Sequence, residues 1–506
     1  MALLRVLPSP DSHPLHGIAR SRELERQAQA ALPDHTLMQR AGLATARLAL
    51  AIAPHAQQVW IAAGPGNNGG DGLEAAMHLA RRGLSVTLSL LADAARLPAD
   101  AQRSLARAVA AGVAIDTAWP GDAALPAFDL VIDAQLGLGA SRVPAGVLAA
   151  AVALLNAHGG PRLAIDLPSG LHAETGQPLG AATLRATHTL GLLTLKPGLF
   201  TGAARDLVGE VWFDGLDVPA PAGAPDAWLA GAPYRRARGH DLHKGSFGDL
   251  AIVAGAPGMA GAALLAARAG QAAGAGRVFV QGLGTTALEL DPLHPESIFR
   301  AGLLDDRAQA LRLACIVCGC GGGSAVRAVL PQVLALPARL VLDADALNAI
   351  GADAALQSLL TARAARGHAT VLTPHPLEAA RLLGVTTREV QADRLAAAAR
   401  LAERWRCTVL LKGSGSIVAA PGRVPSINPT GNAALASAGT GDVLAGWIGG
   451  SWAGRLPDDG FDVAVESAWL HGAAAPASPV GPLRASDLIE AMGAQRAAET
   501  QAFQPR

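Results

Sequence analysis

Gly439-Thr440-Gly441-Asp442, near the end of the chain, opens an apolar helical run, Val443-Leu-Ala-Gly-Trp447. Two glycines around a threonine let successive N–H groups turn onto one point. The positive end of the following helix adds to that point, so the turn favours an anion. A carboxylate facing a phosphate site is unfavourable unless it has a role there. Asp442 can take the proton of a hydroxyl that attacks a bound phosphoryl group. The competing reading is an ordinary Asp at a helix N-terminus, which is common.

Other chemistry-bearing residues of the second half sit at the ends of apolar runs. Gly255-Ala-Pro-Gly258-Met-Ala-Gly261-Ala262 follows one run, and Cys318-Gly-Cys320-Gly321-Gly322-Gly323 ends another. Asp343-Ala-Asp345 and Thr373-Pro-His375-Pro-Leu-Glu378 end two more. Pro376 and Glu378 predict a helix start, with His375 held rigidly at its entrance as a ligand contact. Lys412-Gly413-Ser414-Gly415-Ser416 reads as a turn between strands, offering backbone and lysine contacts to a nucleotide or serving as a simple hairpin. The basic cluster Arg235, Arg236, Arg238, His240, His243 and Lys244 reads as a solvated linker.

The first half repeats the arrangement with different residues. Gly64-Pro-Gly-Asn67-Asn68-Gly69-Gly70-Asp71-Gly72 follows Trp60-Ile-Ala62, a loop able to wrap a phosphate and offer carbonyl oxygens to a cation. Asp133 ends Val131-Ile132 and leads to Gly137-Leu138-Gly139, Ser141 and Arg142; Asp166-Leu-Pro-Ser169-Gly170 ends Ala164-Ile165. Two carboxylates and a serine therefore project towards one crevice, because open parallel sheets bind ligands where strands end. Arg142 reads equally as a phosphate partner or a solvated side chain.

The elements that must hold these residues are short apolar strands alternating with Ala/Leu-rich helices, which predicts parallel sheets covered on both faces. Strands are expected at 59–62, 85–90, 130–132, 163–165, 188–193 and 210–213, then at 250–254, 278–281, 314–317, 340–342, 370–372 and 408–411. Asp217-Val-Pro-Ala-Pro-Ala-Gly-Ala-Pro225 is proline-dense and reads as a domain linker. The expected organisation is a first α/β domain over 1–218, a linker over 219–232 and a second α/β domain over 233–500.

Composition narrows the function. The chain has 506 residues, 41 basic and 41 acidic, so it has no large field with which to hold nucleic acid or an anionic membrane. Aromatics are 3%, which argues against base-stacking surfaces. No run reaches the 18 apolar residues of a membrane helix, and the first 20 residues lack an apolar signal core, so a cytoplasmic enzyme is expected. Cys315, Cys318 and Cys320 lack a fourth ligand at zinc spacing and read as buried small hydrophobes. A weakly charged, Ala-rich helical surface predicts a homo-oligomer, with a tetramer favoured.

Asn67-Asn-Gly-Gly-Asp71, the Asp133/Gly137/Gly139 segment, Asp166-Leu-Pro-Ser-Gly170 and the upstream Leu37-Met-Gln-Arg-Ala-Gly42 resemble the NAD(P)H-hydrate epimerase family. That resemblance implies a Rossmann-like domain binding hydrated dinucleotide through Asn67, Asn68, Gly69, Gly70, Asp71, Gly137, Leu138, Gly139, Ala140, Ser141, Arg142, Val143 and Asp166. It implies potassium at Asn68, Asp133 and Ser169, and Asp166 as the proton-handling acid. Leu138 departs from the threonine expected there, which affects one side-chain hydrogen bond but not the backbone cradle.

Residues from about 240 to 490 resemble the ribokinase-like ADP- or ATP-dependent NAD(P)H-hydrate dehydratases. The features are His243-Lys-Gly, Asp343-Ala-Asp-Ala-Leu, Thr373-Pro-His-Pro, Leu411-Lys-Gly, Asn432, Gly439-Thr-Gly-Asp and Arg484-Ala-Ser-Asp487-Leu. The resemblance implies a nucleotide at Lys412, Gly413, Ser414, Gly415, Ser416 and Gly441. Gly261, Ala262, Gly321, Gly323, His375 and Asp442 would face the hydrated cofactor, with Asp442 catalytic. Cys320 stands where proline is expected and Gly322 where leucine is. ADP as donor, Mg²⁺, and NADHX and NADPHX as substrates complete the expectation. The alternative is a ribokinase-like kinase of a vitamin-type alcohol with a non-catalytic N-terminal binding domain.

Overall fold

Runs such as Val59-Trp-Ile-Ala62 and Cys315-Ile-Val-Cys318 are apolar at every position and need cover on both faces. A computed structural model puts both near the centre of parallel sheets. It describes residues 3–8, 10–117, 127–219, 223–233, 240–284, 289–306, 314–455, 458–477 and 481–501. Arg235, Arg236 and Arg238 lie outside the described residues, as do 220–222 of the expected linker. The chain divides into two compact units, one holding His13–Leu229 and the other Ala230–Arg506, with short N-terminal pieces assigned to each.

In the first unit the strands are β1 (Leu4–Arg5), β2 (His13–Leu15), β3 (Gln58–Ala63), β4 (Ser85–Leu90), β5 (Ala114–Asp116), β6 (Leu130–Ala134), β7 (Arg162–Ile165), β8 (His188–Leu192), β9 (Glu210–Asp214) and β10 (Ala227–Leu229). The sheet order is β1-β9-β8-β7-β6-β3-β4-β5. Only the short edge strand β1 runs antiparallel to its neighbour. The chain moves outward from β3 to β5, then returns to β6 on the other side of β3. The β3/β6 seam is therefore the switch point, where the strand-end loops part and leave a crevice.

Alternate residues of β3 enter different cores. Val59 and Ile61 join one cluster with the helices Thr36–Ile52 and Asn67–Arg81, while Trp60 and Ala62 join another with Ala151 and Leu155. The helix Asn67–Arg81 starts inside what the sequence reads as a loop. Asn and Gly are poor helix formers, but tertiary packing overrides propensity here. A Cβ on Gly69 would lie 2.1 Å from the Gly64 oxygen, and one on Gly70 would lie 2.5 Å from Met38 Sδ. The glycines let the first turn press against its own loop. Gly42 serves the same purpose on the facing helix, since a Cβ there would come within 2.2 Å of Glu74 Cβ.

The second unit contains β11 (Asp249–Ala254), β12 (Arg277–Gly282), β13 (Ile298–Phe299), β14 (Cys315–Cys318), β15 (Arg339–Leu342), β16 (Ala369–Leu372), β17 (Thr408–Leu411), β18 (Ile417–Ala419) and β19 (Ser426–Ile427). Their order is β13-β12-β11-β14-β15-β16-β17-β18-β19, parallel up to β17 and antiparallel beyond it. Here the switch point is the β11/β14 seam. The helix Thr440–Ala453 packs against the helix Ala260–Ala272 through small residues. A Cβ on Gly446 would meet the Ala266 oxygen at 2.1 Å, and one on Gly450 the Gly270 oxygen at 2.0 Å. This close approach sets where the N-terminus of the helix, and so Asp442, is presented. No described helix is long and apolar enough to cross a membrane.

Candidate active sites

Asp133 and Asp166 stand at the ends of adjacent parallel strands, β6 and β7. Asp166 adopts φ 66°, a left-handed conformation that costs a non-glycine residue about 1 kcal/mol or more. It is fixed from three sides: its amide bonds to the Leu190 oxygen at 2.8 Å, its Oδ2 accepts from Leu138 N at 3.0 Å, and its Oδ1 accepts from Lys196 Nζ. Lys196 is 2% exposed and also donates to the Leu192 and Thr194 oxygens at 3.0 and 2.9 Å. Sequence reasoning missed Lys196; the signal was a lysine just beyond β8, the strand next to the Asp166 strand.

Asp133 is 1% exposed and accepts from Ser169 N and Oγ, both at 2.8 Å, and from Gln135 N at 3.2 Å. Burial pushes its carboxyl up to about 6, against the pull of these hydrogen bonds. Its hydrogen-bond partners are hydroxyl and amide groups rather than a cationic side chain. The amide nitrogen of Asn68 is buried with no hydrogen-bond partner, and a Cβ on Gly137 would approach both Asn68 Oδ1 (3.3 Å) and Asp166 Oδ2 (3.0 Å). Oxygen donors and a buried carboxylate with no cationic side chain bonded to it are what a hard monovalent cation would satisfy; the orphaned Asn68 nitrogen, a donor, adds nothing to that fit.

Asn68, Gln135, Gly137 and Asp166, though not Asp133 or Ser169, border a cavity of about 810 Å³. Asn67, Asn68, Asp71, Gly137, Leu138, Gly139, Ala140 and Asp166 line it, together with Ser21, Arg22, Glu25, Thr194 and Lys196, which the sequence did not mark. Gly69 and Gly70 sit behind the wall in the first helical turn. Ser141, Arg142 and Val143 are exposed and outside the lining, and Val143 sits beside Gly180 instead. Arg22 flanks the glycine turn, with its Nη2 3.6 Å from where a Cβ on Gly139 would lie. Asp71 is held well above the usual carboxylate range by burial and by the charges of Asp166, Glu25 and Glu74.

In the second unit, the loops after β11 and β14 are tied together: Gly255 N donates to the Cys320 oxygen at 3.0 Å and Ala256 N to the Gly321 oxygen at 2.7 Å. Gly323 N donates to Asp345 Oδ2 at 2.8 Å, so Asp345 fixes the glycine loop. Asp343 accepts from Lys412 Nζ at 2.6 Å and from Thr373 Oγ1 at 2.8 Å. Gly439 takes φ 88°, which only glycine adopts cheaply, and starts the helix that carries Asp442. A Cβ on Gly441 would lie 3.4 Å from Lys412 Nζ. The sequence-distant Cys320, Asp343 and Asp442 bring their ligand atoms within 4.8 Å of one another.

Asp442 is pushed up to about 6, first by burial and then by the Asp343 charge, while the Cys320 thiol and Lys412 act in the other direction. Burial works against the charge of Lys412, but Asp343 and Glu378 hold its pKa above the ordinary value. Burial pushes Glu378 up to about 7. Cys315 and Cys318 are pushed up to about 12 by burial, and Cys320 is also raised, which suits inert core thiols.

His375 caps the helix Pro376–Leu383: its Nδ1 accepts from Leu377 N at 3.1 Å and Glu378 N at 3.3 Å. Any ligand contact is left to Nε2, which lies 3.1 Å from Glu378 Oε1. Ala262 adjoins Gly321, Gly323 adjoins Met259, and Gly261 is exposed in the first turn of its helix. Residues 412–416 form the turn of the β17/β18 hairpin, where Ser416 Oγ donates to the Gly413 oxygen at 3.0 Å. The 1%-exposed Arg394, unmarked by the sequence, donates to the Lys412 oxygen at 3.2 Å and steadies that turn.

Two parallel-sheet units, each with glycine turns and carboxylates at its switch point, define a two-site α/β enzyme that handles nucleotides. Residues 34–198 match the family described as YjeF-related protein N-terminus, and residues 250–491 match NAD(P)H-hydrate dehydratase. The bifunctional NAD(P)H-hydrate repair enzyme Nnr of Escherichia coli (strain K12) is 36% identical over 477 residues, covering 90% of this chain and 87% of that one. The corresponding Moorella thermoacetica enzyme is 36% identical over 495 residues, covering 89% and 90%. An ADP/ATP-dependent NAD(P)H-hydrate dehydratase from Bacillus subtilis, co-crystallized with ATP/Mg²⁺, is 26% identical and covers 53% of this chain and 95% of its own, with a TM-score of 0.42. The chain belongs to the bifunctional NAD(P)H-hydrate repair enzymes.

Proposed function

We propose that the chain repairs hydrated nicotinamide dinucleotides. Its first domain interconverts the R and S epimers of NADHX and NADPHX, and its second dehydrates the S epimer at the expense of ADP, giving AMP and phosphate. The observation that carries this reading is Asp442, a half-buried carboxyl poised near pH 6 at a glycine-rich helix N-terminus. Asp442 takes the proton of the C6 hydroxyl, and the oxygen attacks the terminal phosphoryl group of the donor. Lys412 and the amides around Gly441 stabilise the charge that develops. The ring nitrogen's lone pair then expels phosphate, C5 gives up a proton, and the double bond returns.

The domains in this reading are 1–218 and 233–500, joined through 219–232. Asn67, Asn68, Asp71 and Gly137 to Ala140 contact the dinucleotide in the first, with Gly69 and Gly70 shaping the turn behind them; Lys412 to Ser416 and Gly441 hold the nucleotide in the second. Asn68, Asp133 and Ser169 would hold K⁺, which when bound supplies the positive charge that the buried Asp133 lacks. For Mg²⁺ the fit is poor: it wants six oxygen ligands, and the nearest cluster here contains the Cys320 thiol. An ion carried by the nucleotide phosphates remains compatible with that. A cytoplasmic homo-oligomer, a tetramer favoured, completes the proposal; exposed Leu290 and Leu293 give association an apolar surface.

Two substitutions test the division of labour. Asp442→Asn should abolish dehydration and leave epimerisation intact, and Asp166→Asn should do the reverse. Equal loss of both activities in either variant would refute two independent sites. Release of a phosphorylated alcohol instead of free phosphate would point to the kinase alternative.

A further inference from the structure

The cavity of the first unit contains a carboxyl that the mechanism above does not use. Glu25 lies on the helix Ile18–Ala31, and Ser21, Arg22, Glu25 and Gln29 of that helix all reach the cavity lining. Its neighbours Leu24 and Ala28 are buried, so Glu25 borders the inward face of the helix. A carboxylate with only a structural task would turn to water or take a cationic partner. Glu25 is instead partly buried, accepts weakly from Gln29 Nε2 at 3.4 Å and accepts a hydrogen bond from Asn67.

The charged groups acting on it are Asp166, which disfavours its ionisation, and Lys196 and Arg22, which favour it; Asp71 lines the same cavity and is itself raised in part by Glu25. Burial and Asp166 prevail, so its carboxyl is held above the ordinary glutamate range. Lys196 is bonded directly to Asp166. One cavity thus holds an ion-paired carboxylate and a carboxyl biased towards its acid form, an arrangement that assigns base and acid roles.

We propose that Glu25 is the second proton-transfer residue of the epimerising site, working opposite Asp166. This rests on the epimerase reading of the first domain. The Glu25 carboxyl gives its proton to the C6 hydroxyl. The C6–O bond breaks with both electrons staying on oxygen, water leaves, and the ring nitrogen's lone pair forms a C6=N1 iminium. Water adds to the other face of C6, and the Asp166 carboxylate accepts the proton it releases. The site then holds ionised Glu25 and protonated Asp166, the state from which the opposite epimer reacts in reverse.

The test uses full-length protein and one purified NADPH-hydrate epimer at a time, without nucleotide, so that dehydration is silent. Chromatography follows the other epimer between pH 5 and 8. E25Q should lower kcat by roughly 100-fold or more, with KM within about three-fold of wild type. From one of the two epimers, the wild-type rate should fall as pH rises through the Glu25 ionisation, and E25Q should lack that fall. E25D, which keeps an acid, should recover at least about ten-fold over E25Q. ADP-dependent dehydration of the S epimer by the same preparations should stay within about two-fold of wild type, reporting intact protein.

A kcat for E25Q within about five-fold of wild type, or a loss confined to KM, overturns the proposal. If E25Q does not fold, E25D decides: a lower kcat with a displaced pH limb supports the role, and a wild-type profile overturns it. A wild-type protein that interconverts neither epimer would instead refute the epimerase reading itself.

Discussion

Asp343→Asn should move the acid limb of dehydration to lower pH. Asp442 must be ionised to act as a base, so activity is present above its pKa and lost as pH falls through about 6. The Asp343 charge is the second cause of that raised value, after burial. Their carboxylate oxygens lie within 4.8 Å. At an effective dielectric of about 20, two charges some 5 Å apart repel by roughly 3 kcal/mol, equivalent to about 2.5 pH units. That figure is a ceiling, because burial accounts for the largest part of the rise from 3.8 to about 6. Removing the Asp343 charge should therefore lower the limb by about one unit. Lys412 strengthens the effect, because Asp343→Asn releases its ammonium from the 2.6 Å ion pair beside Asp442. The assay is initial-rate phosphate release from the S hydrate with saturating ADP, run from pH 4.5 to 8. The shape of that profile does not depend on the fraction of active protein. A limb unmoved near 6, or moved upward, would refute the electrostatic account of Asp442.

Three other outcomes are expected. Lys196→Met should cost about 3–5 kcal/mol of stability, because it leaves the buried Asp166 carboxylate without its cation; chemical denaturation reads the loss, and epimerisation should fall with it. Replacing K⁺ by Li⁺ should slow epimer interconversion by at least about ten-fold while leaving dehydration unchanged, in parallel chromatographic and phosphate assays. Arg363→Met should cost about 3 kcal/mol, since the 1%-exposed guanidinium bonds the Leu334, Pro337 and Ala369 oxygens and Thr370 Oγ1; a calorimetric transition within 1 °C of wild type would contradict that.

Much of the fold was legible because parallel strands buried on both faces appear as continuous apolar runs, and their ends can be read for polar residues. That is how Asp133 and Asp166 were paired before their strands, β6 and β7, were seen as neighbours. Lys196, Glu25 and Arg394 were not legible. Each reaches its place through a crossover or a helix orientation that short-range pattern does not encode. The helix starting at Asn67 was hidden because Asn and Gly disfavour helix, while the close contacts of Gly69 and Gly70 arise only in the folded packing. His375 was legible in position, but its cap bonds depend on the backbone geometry of Leu377 and Glu378. The short strands β1, β2, β5, β10, β13 and β19 carry too few residues to show a period.

The most direct test of the central claim follows absorbance at 340 nm. Intact protein with ADP, Mg²⁺ and K⁺ is given a mixture of both NADPH-hydrate epimers, beside the Asp166→Asn and Asp442→Asn variants. Full recovery of NADPH by the wild type is predicted. Asp166→Asn should show a fast phase limited to the S share, and Asp442→Asn no gain. Full and rapid recovery by either variant, or no gain with wild type, would contradict two cooperating sites in one chain.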